Sequence, residues 1–352
     1  MRIGIVTLPL HNNYGGILQN WALQQVLIRM GHEPITIDAY VKYPYSHYVL
    51  RRFAYYCSRL IGKNLPAPPK PFMGRVTDPM LGKFIVNNIK LTKPVRKYNS
   101  RLIKRYRLDG VVVGSDQIWR PKYNERIETA FLDFLLDYPH IRRYAFSVSL
   151  GTDKWEFSEQ ETANCRFLIK RFDAISVREM SAVELISKYL NVKPSLTLDP
   201  TLLLDAKDYC KLCEDIPRSK EPYIAIYCLD TSSSFTEKCR NLSKVLHLPM
   251  RFFGAENNCS LTVNQWIAMF RDARYVITDS YHGTIFSILF DKPVLIHENK
   301  DRGVSRIETL LALFKYKADE LGFITIQNKD VSLGLLRQES INFLRGITDG
   351  KS

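Results

Sequence analysis

The sequence lacks the features that mark secreted and membrane-spanning proteins. Its 352 residues contain no run that approaches 18 uncharged apolar residues, so no membrane span is expected. The start of the chain lacks the basic residues, the long apolar stretch and the small-residue cleavage site of a signal peptide. Seven scattered cysteines are too few for a disulfide scaffold. These absences predict a protein of the reducing cytoplasm.

Acidic residues are also scarce in one part of the chain. Residues 39–108 contain sixteen lysines and arginines but a single acid, Asp78, so this segment carries +15. The remaining residues hold 34 bases and 35 acids, a net charge of −1. The net charge of +14 therefore comes entirely from this one segment. A non-catalytic basic binding module is one interpretation. No nucleic-acid recognition motif accompanies the charge, however, and we expect no nucleic-acid partner.

Strand and helix patterns alternate through most of the remaining sequence. A β-branched apolar run over residues 2–8 is followed by a polar turn, a helical pattern and a second strand at 35–38, which together form one βαβ unit. Similar alternation follows over 110–198 and again over 223–296. We therefore predict an α/β fold with two Rossmann-like lobes and a cleft between them.

The domain boundaries follow from where this alternation stops. The first lobe is expected at residues 1–205, with the irregular basic segment inserted at about 41–106. A polar stretch at 206–222 is expected to be the linker, and the second lobe is expected at 223–330. An amphipathic helix over 332–346 is expected to cross back and complete the first lobe.

The beginning of the basic segment combines cations with aromatic rings. Residues 39–77 contain seven lysines and arginines, eight tyrosines and phenylalanines, and no acid. This combination suits the lipid headgroup layer, and residues 48–60 are predicted to form an amphipathic helix. We expect a peripheral contact with the inner face of the membrane. The alternative is a solvated helical hairpin that shields the cleft.

Polar residues follow the predicted strands at the edge where parallel sheets bind ligands. His282 comes between a strand and a helix, beside backbone N–H groups that favour an anion, although it could equally be a turn residue next to a capping Ser280. Arg178 ends another buried strand. Its guanidinium could clamp a carboxylate or phosphate of a ligand, or it could pair with Glu179 or Asp199 for structural reasons.

Two loops could complete an anion site. Lys300 and Arg302 lie close together before a predicted helix, where they could also be solvated. Asn13 and Gly15 lie in the first polar turn and offer amide and backbone donors. Cys210 and Cys213 form the only CxxC pair, and because no further ligand accompanies them we expect no metal site.

Five motifs, in order along the chain, resemble those of the polysaccharide pyruvyl transferase family. They span roughly residues 1–310 and read HNNYGGILQNWAL from His11, VGSDQIW from Val113, SVRE from Ser176, LDPT from Leu198 and TDSYHG from Thr278. The resemblance implies a fold similar to two-lobed, GT-B-like glycosyltransferases. It also implies transfer of the pyruvate unit of phosphoenolpyruvate to hydroxyls of a glycan or lipid-linked sugar, without a cofactor. His11 and the long basic insertion depart from the family's pattern.

The resemblance also assigns roles to the residues. It makes His282 the general acid and base, and makes Arg178 a ligand of the donor's carboxylate or phosphate. Either Lys300 or Arg302 would complete the anion site. The other expected donor-binding residues are Asn13, Gly15, Ser115, Asp116, Ser280 and Gly283. A nucleotide-sugar-dependent glycosyltransferase is the alternative, because it would share the lobes and a helix-terminus phosphate site.

Overall fold

The computed structural model places two six-stranded sheets in the chain, which confirms the predicted α/β class with two Rossmann-like lobes. It describes residues 1–10, 13–39, 45–60, 79–95, 97–124, 126–230, 232–254, 261–297 and 304–348. The strands are β1 Arg2–Val6, β2 Glu33–Thr36, β3 Gly110–Val113, β4 Arg142–Val148, β5 Ala174–Val177, β6 Ser195–Leu196, β7 Ile224–Tyr227, β8 Met250–Phe252, β9 Tyr275–Thr278, β10 Val294–Ile296, β11 Tyr316–Ala318 and β12 Ile324–Ile326. The helices are α1 Tyr14–Arg29, α2 Tyr45–Leu60, α3 Pro79–Asn88, α4 Arg101–Tyr106, α5 Glu159–Ile169, α6 Met180–Leu190, α7 Ala206–Leu212, α8 Ser233–Leu246, α9 Val263–Asp272, α10 Tyr281–Leu289, α11 Val304–Ala312 and α12 Lys329–Thr348.

The first sheet is parallel, with strand order β2-β1-β3-β4-β5-β6. The second has the order β11-β12-β10-β9-β7-β8, and only β11 and β12 run antiparallel to their neighbours. Strand β3 shows that the first sheet is buried on both faces. Val112 belongs to one apolar core, whereas Val111 and Val113 point the other way and belong to a second core. Helices cover each face, as parallel sheets require.

The two lobes share one apolar core. Trp21 of the first lobe packs on Tyr209, and Tyr209 packs on Phe286 of the second lobe, with ring centroids 5.5 and 4.9 Å apart. Tyr209 belongs to α7, which occupies the first part of the segment expected to be the linker. The start of this segment is therefore a packed helix that joins the lobes, because its tyrosine is fully buried.

Helix α12 lies against the first lobe. Ser340 accepts a hydrogen bond from the Leu198 backbone at 3.0 Å, and Arg337 donates to the carbonyls of Leu202 and Leu204. The Phe343 ring packs on Phe146 of β4. The C-terminal helix thus begins after the second sheet and ends on the first lobe.

Two local differences from the sequence analysis concern short elements. Strands β11 and β12 form a hairpin that the sequence analysis missed, because each strand has only three residues and β11 is exposed. Helix α10 begins at Tyr281, so it includes His282, which was expected to precede the helix. The helix begins there because the Ser280 side chain accepts a hydrogen bond from the Gly283 backbone and caps the first turn. His282 therefore lies in the first turn of α10.

Candidate functional site

The predicted site residues meet where the carboxyl ends of the strands of both sheets face each other. Helix α1 follows β1, Asp116 follows β3, Arg178 follows β5 and His282 follows β9. Parallel sheets bring such residues together, because their strand ends share one edge. The tertiary structure joins the two edges into one site.

Gly15 of the first lobe lies directly against His282 of the second lobe. A methyl group built on Gly15 would lie 2.1 Å from Nδ1 of the His282 ring. Only a residue without a side chain therefore allows the first turn of α1 to meet the first turn of α10. The nearby Tyr14 ring stacks on Trp266 at 5.3 Å, and its hydroxyl donates to the Leu261 carbonyl at 2.7 Å. These contacts fix the two helix N-termini beside each other.

Arg178 is completely buried and faces carboxylates of its own lobe. Its Nη1 donates to Asp199 at 2.6 Å and its Nη2 donates to Asp116 at 3.1 Å. The guanidinium also lies over the Tyr281 ring, 4.7 Å from its centroid. Burial would lower the pKa of Arg178, but Asp199, Tyr281 and Asp116 outweigh it and hold the pKa above its ordinary value. Arg178 is therefore a charged structural centre, as the pairing alternative expected, and its contact with a donor stays a prediction.

Asp199 is the carboxylate that both Arg178 and His282 approach. One oxygen accepts from the Thr201 backbone and hydroxyl, at 3.0 and 2.6 Å. The other accepts from Arg178 and lies 3.7 Å from Nε2 of His282. Burial would raise the pKa of Asp199, but His282 and Arg178 reverse the effect and hold it well below its usual range. Asp199 therefore remains ionised at neutral pH.

Three buried polar atoms in this site make no hydrogen bond to any residue that the structure describes. They are Nε2 of His282, Nε of Arg178 and Oε2 of Glu179. The other Glu179 oxygen is saturated by donors from Ser149, Leu150 and Gly151. Nε of Arg178 and Oε2 of Glu179 lie 3.8 Å apart as a buried ion pair. Because buried polar atoms normally have partners, Nε2 of His282 is therefore the candidate for contact with a bound molecule or water.

The remaining predicted donor-binding residues have structural contacts here. Asn13 caps α1 through the Gly16 backbone at 3.1 Å and reaches Asp116 at 3.4 Å. The buried Ser115 backbone donates to Gln19. Gly283 lies so close to Thr278 that a methyl group would be 2.2 Å from its hydroxyl. Their contacts with a donor, like that of the capping Ser280, stay predictions.

Lys300 and Arg302 lie outside the described residues. Among those that the structure describes, no three His, Cys, Asp or Glu side chains group as a metal site would need.

Two further residues lie near Arg178 and were not among the predicted site residues: one is aromatic and the other is cationic. Tyr281 lies between Arg178 and Arg306, whose guanidinium is 5.8 Å from the ring centroid. Burial, and secondarily Asp199, raises the pKa of Tyr281 above its ordinary range. Burial and the charge of Arg178 lower the pKa of Arg306. Arg306 lies in the first turn of α11, and only the fold brings it to Tyr281.

The polysaccharide pyruvyl transferase family model matches residues 13–301 of the chain. No curated protein sequence matches. Among solved structures, UDP-GlcNAc 2-epimerase from Neisseria meningitidis, bound to UDP-GlcNAc, is 12% identical with a TM-score of 0.51, covering 98% of this chain and 100% of that one. The MnaA–UDP structure from S. aureus is 12% identical with a TM-score of 0.49, covering 84% and 79%. E. coli ADP-heptose LPS heptosyltransferase II is 10% identical with a TM-score of 0.37, covering 99% and 98%.

Proposed function

The chain belongs to the polysaccharide pyruvyl transferase family, a family of transferases, and on that premise we propose that it moves the pyruvate unit of phosphoenolpyruvate onto a glycan or lipid-linked sugar. In this reaction two sugar hydroxyls add to C2 of the enolpyruvate and the C2–O bond to phosphate breaks. Of the two hydroxyl protons, one ends on the new methyl group and one on the released hydrogen phosphate. The product is a cyclic ketal that retains the carboxylate.

The observation that carries this proposal is the meeting of two helix N-termini at the His282 ring, whose Nε2 makes no hydrogen bond to any residue that the structure describes. Helices α1 and α10 have no acidic residue of their own in their first turns, so the anions near their positive ends come from other parts of the fold or from a ligand. A phosphate or carboxylate is favoured at such a place. Phosphoenolpyruvate carries both groups. We therefore place the donor against the first turns of α1 and α10.

His282 is the proposed general acid and base. Its Nε2 is buried without a hydrogen bond among the described residues, so a donor or acceptor atom can reach it without displacing a protein partner. A histidine can donate a proton to the methylene carbon and accept one from an attacking hydroxyl near neutral pH. Asp199, ionised and 3.7 Å away, is the proposed positioning residue for this ring.

Ligand stabilisation tests the donor. We expect phosphoenolpyruvate at 100 times its dissociation constant to raise the free energy of unfolding by about 2.7 kcal/mol. Thermal-shift titrations measure this with phosphoenolpyruvate and, in parallel, with a panel of nucleotide sugars. Stabilisation by a nucleotide sugar but not by phosphoenolpyruvate would contradict the proposal and favour the glycosyltransferase alternative.

The Gly15 contact gives a test that leaves every polar group in place. In Gly15→Ala the new methyl group must displace the His282 ring, and we expect turnover to fall by up to about 100-fold, because small misplacements of catalytic groups are costly. Gly334→Ala is the matched control, since a methyl group there meets nothing within 4 Å. Steady-state phosphate release is the measurement. Equal turnover in the two variants would show that the position of the His282 ring does not matter.

A further inference from the structure

Helix α2 turns its large apolar side chains toward solvent. Phe53 is 69% exposed and Leu60 is 87% exposed, far more than expected for such residues in a folded protein. The other exposed members of this face are Val49, Leu50 and Tyr56. We call these five residues the apolar face of α2.

The spacing of the apolar face shows that it is one side of the helix. Val49, Phe53, Tyr56 and Leu60 follow each other at intervals of four, three and four residues, which places them on one stripe. Ser58 is buried and lies roughly half a turn around the helix from Val49. The buried position of α2 is thus on the side opposite the apolar stripe, and the apolar stripe itself faces solvent.

Two exposed arginines, Arg52 and Arg59, flank this face on one side of the helix. No acid occurs anywhere in residues 39–77. The guanidinium of Arg52 lies 5.9 Å from the centre of the Tyr56 ring, and that of Arg59 lies 5.7 Å from the Tyr55 ring. Cations next to aromatic rings suit the lipid headgroup layer, where an amphipathic helix lies in the plane of the surface.

We propose that α2 binds the surface of an anionic membrane, with its apolar face among the lipid chains and its arginines on the headgroups. The charge argues for this occupant over a second copy of the chain, because a symmetric contact through α2 would place arginines against arginines. None of the described helices is long and apolar enough to cross a bilayer, so the contact is peripheral. This inference does not depend on which donor the enzyme uses.

Co-sedimentation of the full chain with vesicles tests the proposal. We expect binding to phosphatidylcholine vesicles that contain phosphatidylglycerol at low salt, weaker binding in 1 M salt, and little binding to phosphatidylcholine alone. The triple variant Arg51→Gln, Arg52→Gln and Arg59→Gln should bind anionic vesicles at least about 25-fold more weakly, since Arg52 and Arg59 flank the apolar face and each cation near the surface contributes about fivefold.

A matched pair of variants distinguishes vesicle binding through α2 from nonspecific adsorption through other exposed apolar residues. Phe53→Gln with Arg52→Gln removes one ring and one cation from α2, and should weaken vesicle binding. Phe167→Gln with Arg171→Gln removes a similar exposed pair from the last turn of α5 and the turn that follows it, where the cation lies 3.9 Å from the ring centroid. This variant should bind as wild type does. Unfolding temperatures of all variants establish that they fold.

Three results would overturn the proposal. The first is failure of the wild type to bind anionic vesicles at low salt, and the second is unchanged binding by the folded triple variant. The third is a wild-type dimer in sedimentation velocity that the Phe53 variant abolishes, which would assign the apolar face to a second copy. Because vesicle binding is measured without donor, none of these results bears on the proposed reaction.

Discussion

Replacing His282 with alanine is expected to lower turnover by about 10²–10⁴-fold, the usual contribution of a general acid or base. The ring lies in the first turn of α10, with Nε2 buried and without a hydrogen bond among the described residues, so its removal breaks no structural hydrogen bond there. We therefore expect a modest effect on stability and on the affinity for phosphoenolpyruvate. Single-turnover phosphate release measures the chemical step, and thermal-shift titration measures the affinity.

His247→Asn is the control for this experiment. His247 is exposed and lies just after α8 with a φ of +52°, a conformation that asparagine tolerates. We expect wild-type turnover in this variant. Turnover by folded His282→Ala at the wild-type rate would remove the ring from the mechanism. Loss of donor binding, rather than of rate, would make His282 a ligand of the donor instead.

Replacing Asp199 with asparagine is expected to lower the free energy of unfolding by about 3–5 kcal/mol. The substitution keeps the size of the side chain but leaves the fully buried Arg178 with less negative charge around it. Glu237→Ala is the control, because Glu237 pairs with Arg240 at an exposed position, where an ion pair contributes about 1 kcal/mol or less. Urea denaturation at neutral pH measures both variants. Equal losses in the two would mean that the buried pair is not an important source of stability.

The difference in unfolding free energy between wild type and Asp199→Asn should depend on pH, because the pKa of Asp199 is lowered in the folded state. A carboxyl whose pKa is lower in the folded state stabilises the fold at pH values above its ordinary pKa of 3.8, and this stabilisation is lost as the pH falls through the folded-state pKa. The difference between wild type and Asp199→Asn should therefore be complete at neutral pH. It should begin to shrink as the pH falls below about 3.8, and it should be lost as the pH falls through the folded-state pKa. A difference that disappeared between pH 7 and pH 5 would assign the effect to another group.

The sequence predicted the sheet architecture well because buried strands have a strong local signature. The β-branched run at Gly110–Val113 and the apolar runs at Tyr275–Thr278 and Val294–Ile296 are all strands, and all lie within the stretches 110–198 and 223–296 where alternating strands and helices were predicted. Gly31 after α1 has the left-handed φ of +81° expected of a residue that ends a helix. Hairpin β11–β12 was missed, since three-residue strands with exposed side chains carry little periodicity.

The candidate site was predicted only in part. Strand ends pointed to Arg178 and His282, because polar residues that follow buried strands gather at one sheet edge. No feature of the neighbouring sequence indicated that Gly15 must lack a side chain to make room for His282. Likewise, no sequence pattern indicated that both Arg178 and Arg306 would lie near the Tyr281 ring. These contacts join residues that are far apart in sequence and belong to different lobes.

The sequence by itself determined the two α/β lobes, the edge of each sheet that carries the polar residues, the local excess of positive charge and the family motifs. It could do so because periodicity, capping and composition are properties of neighbouring residues. Only the tertiary structure decided that both terminal nitrogens of Arg178 donate to Asp199 and Asp116, and that Nε2 of His282 makes no hydrogen bond to any described residue. It also decided that α2 presents its apolar face to solvent. Those outcomes depend on which surfaces the packed lobes bury together, and burial determines which charges must pair and which atoms remain available to a ligand.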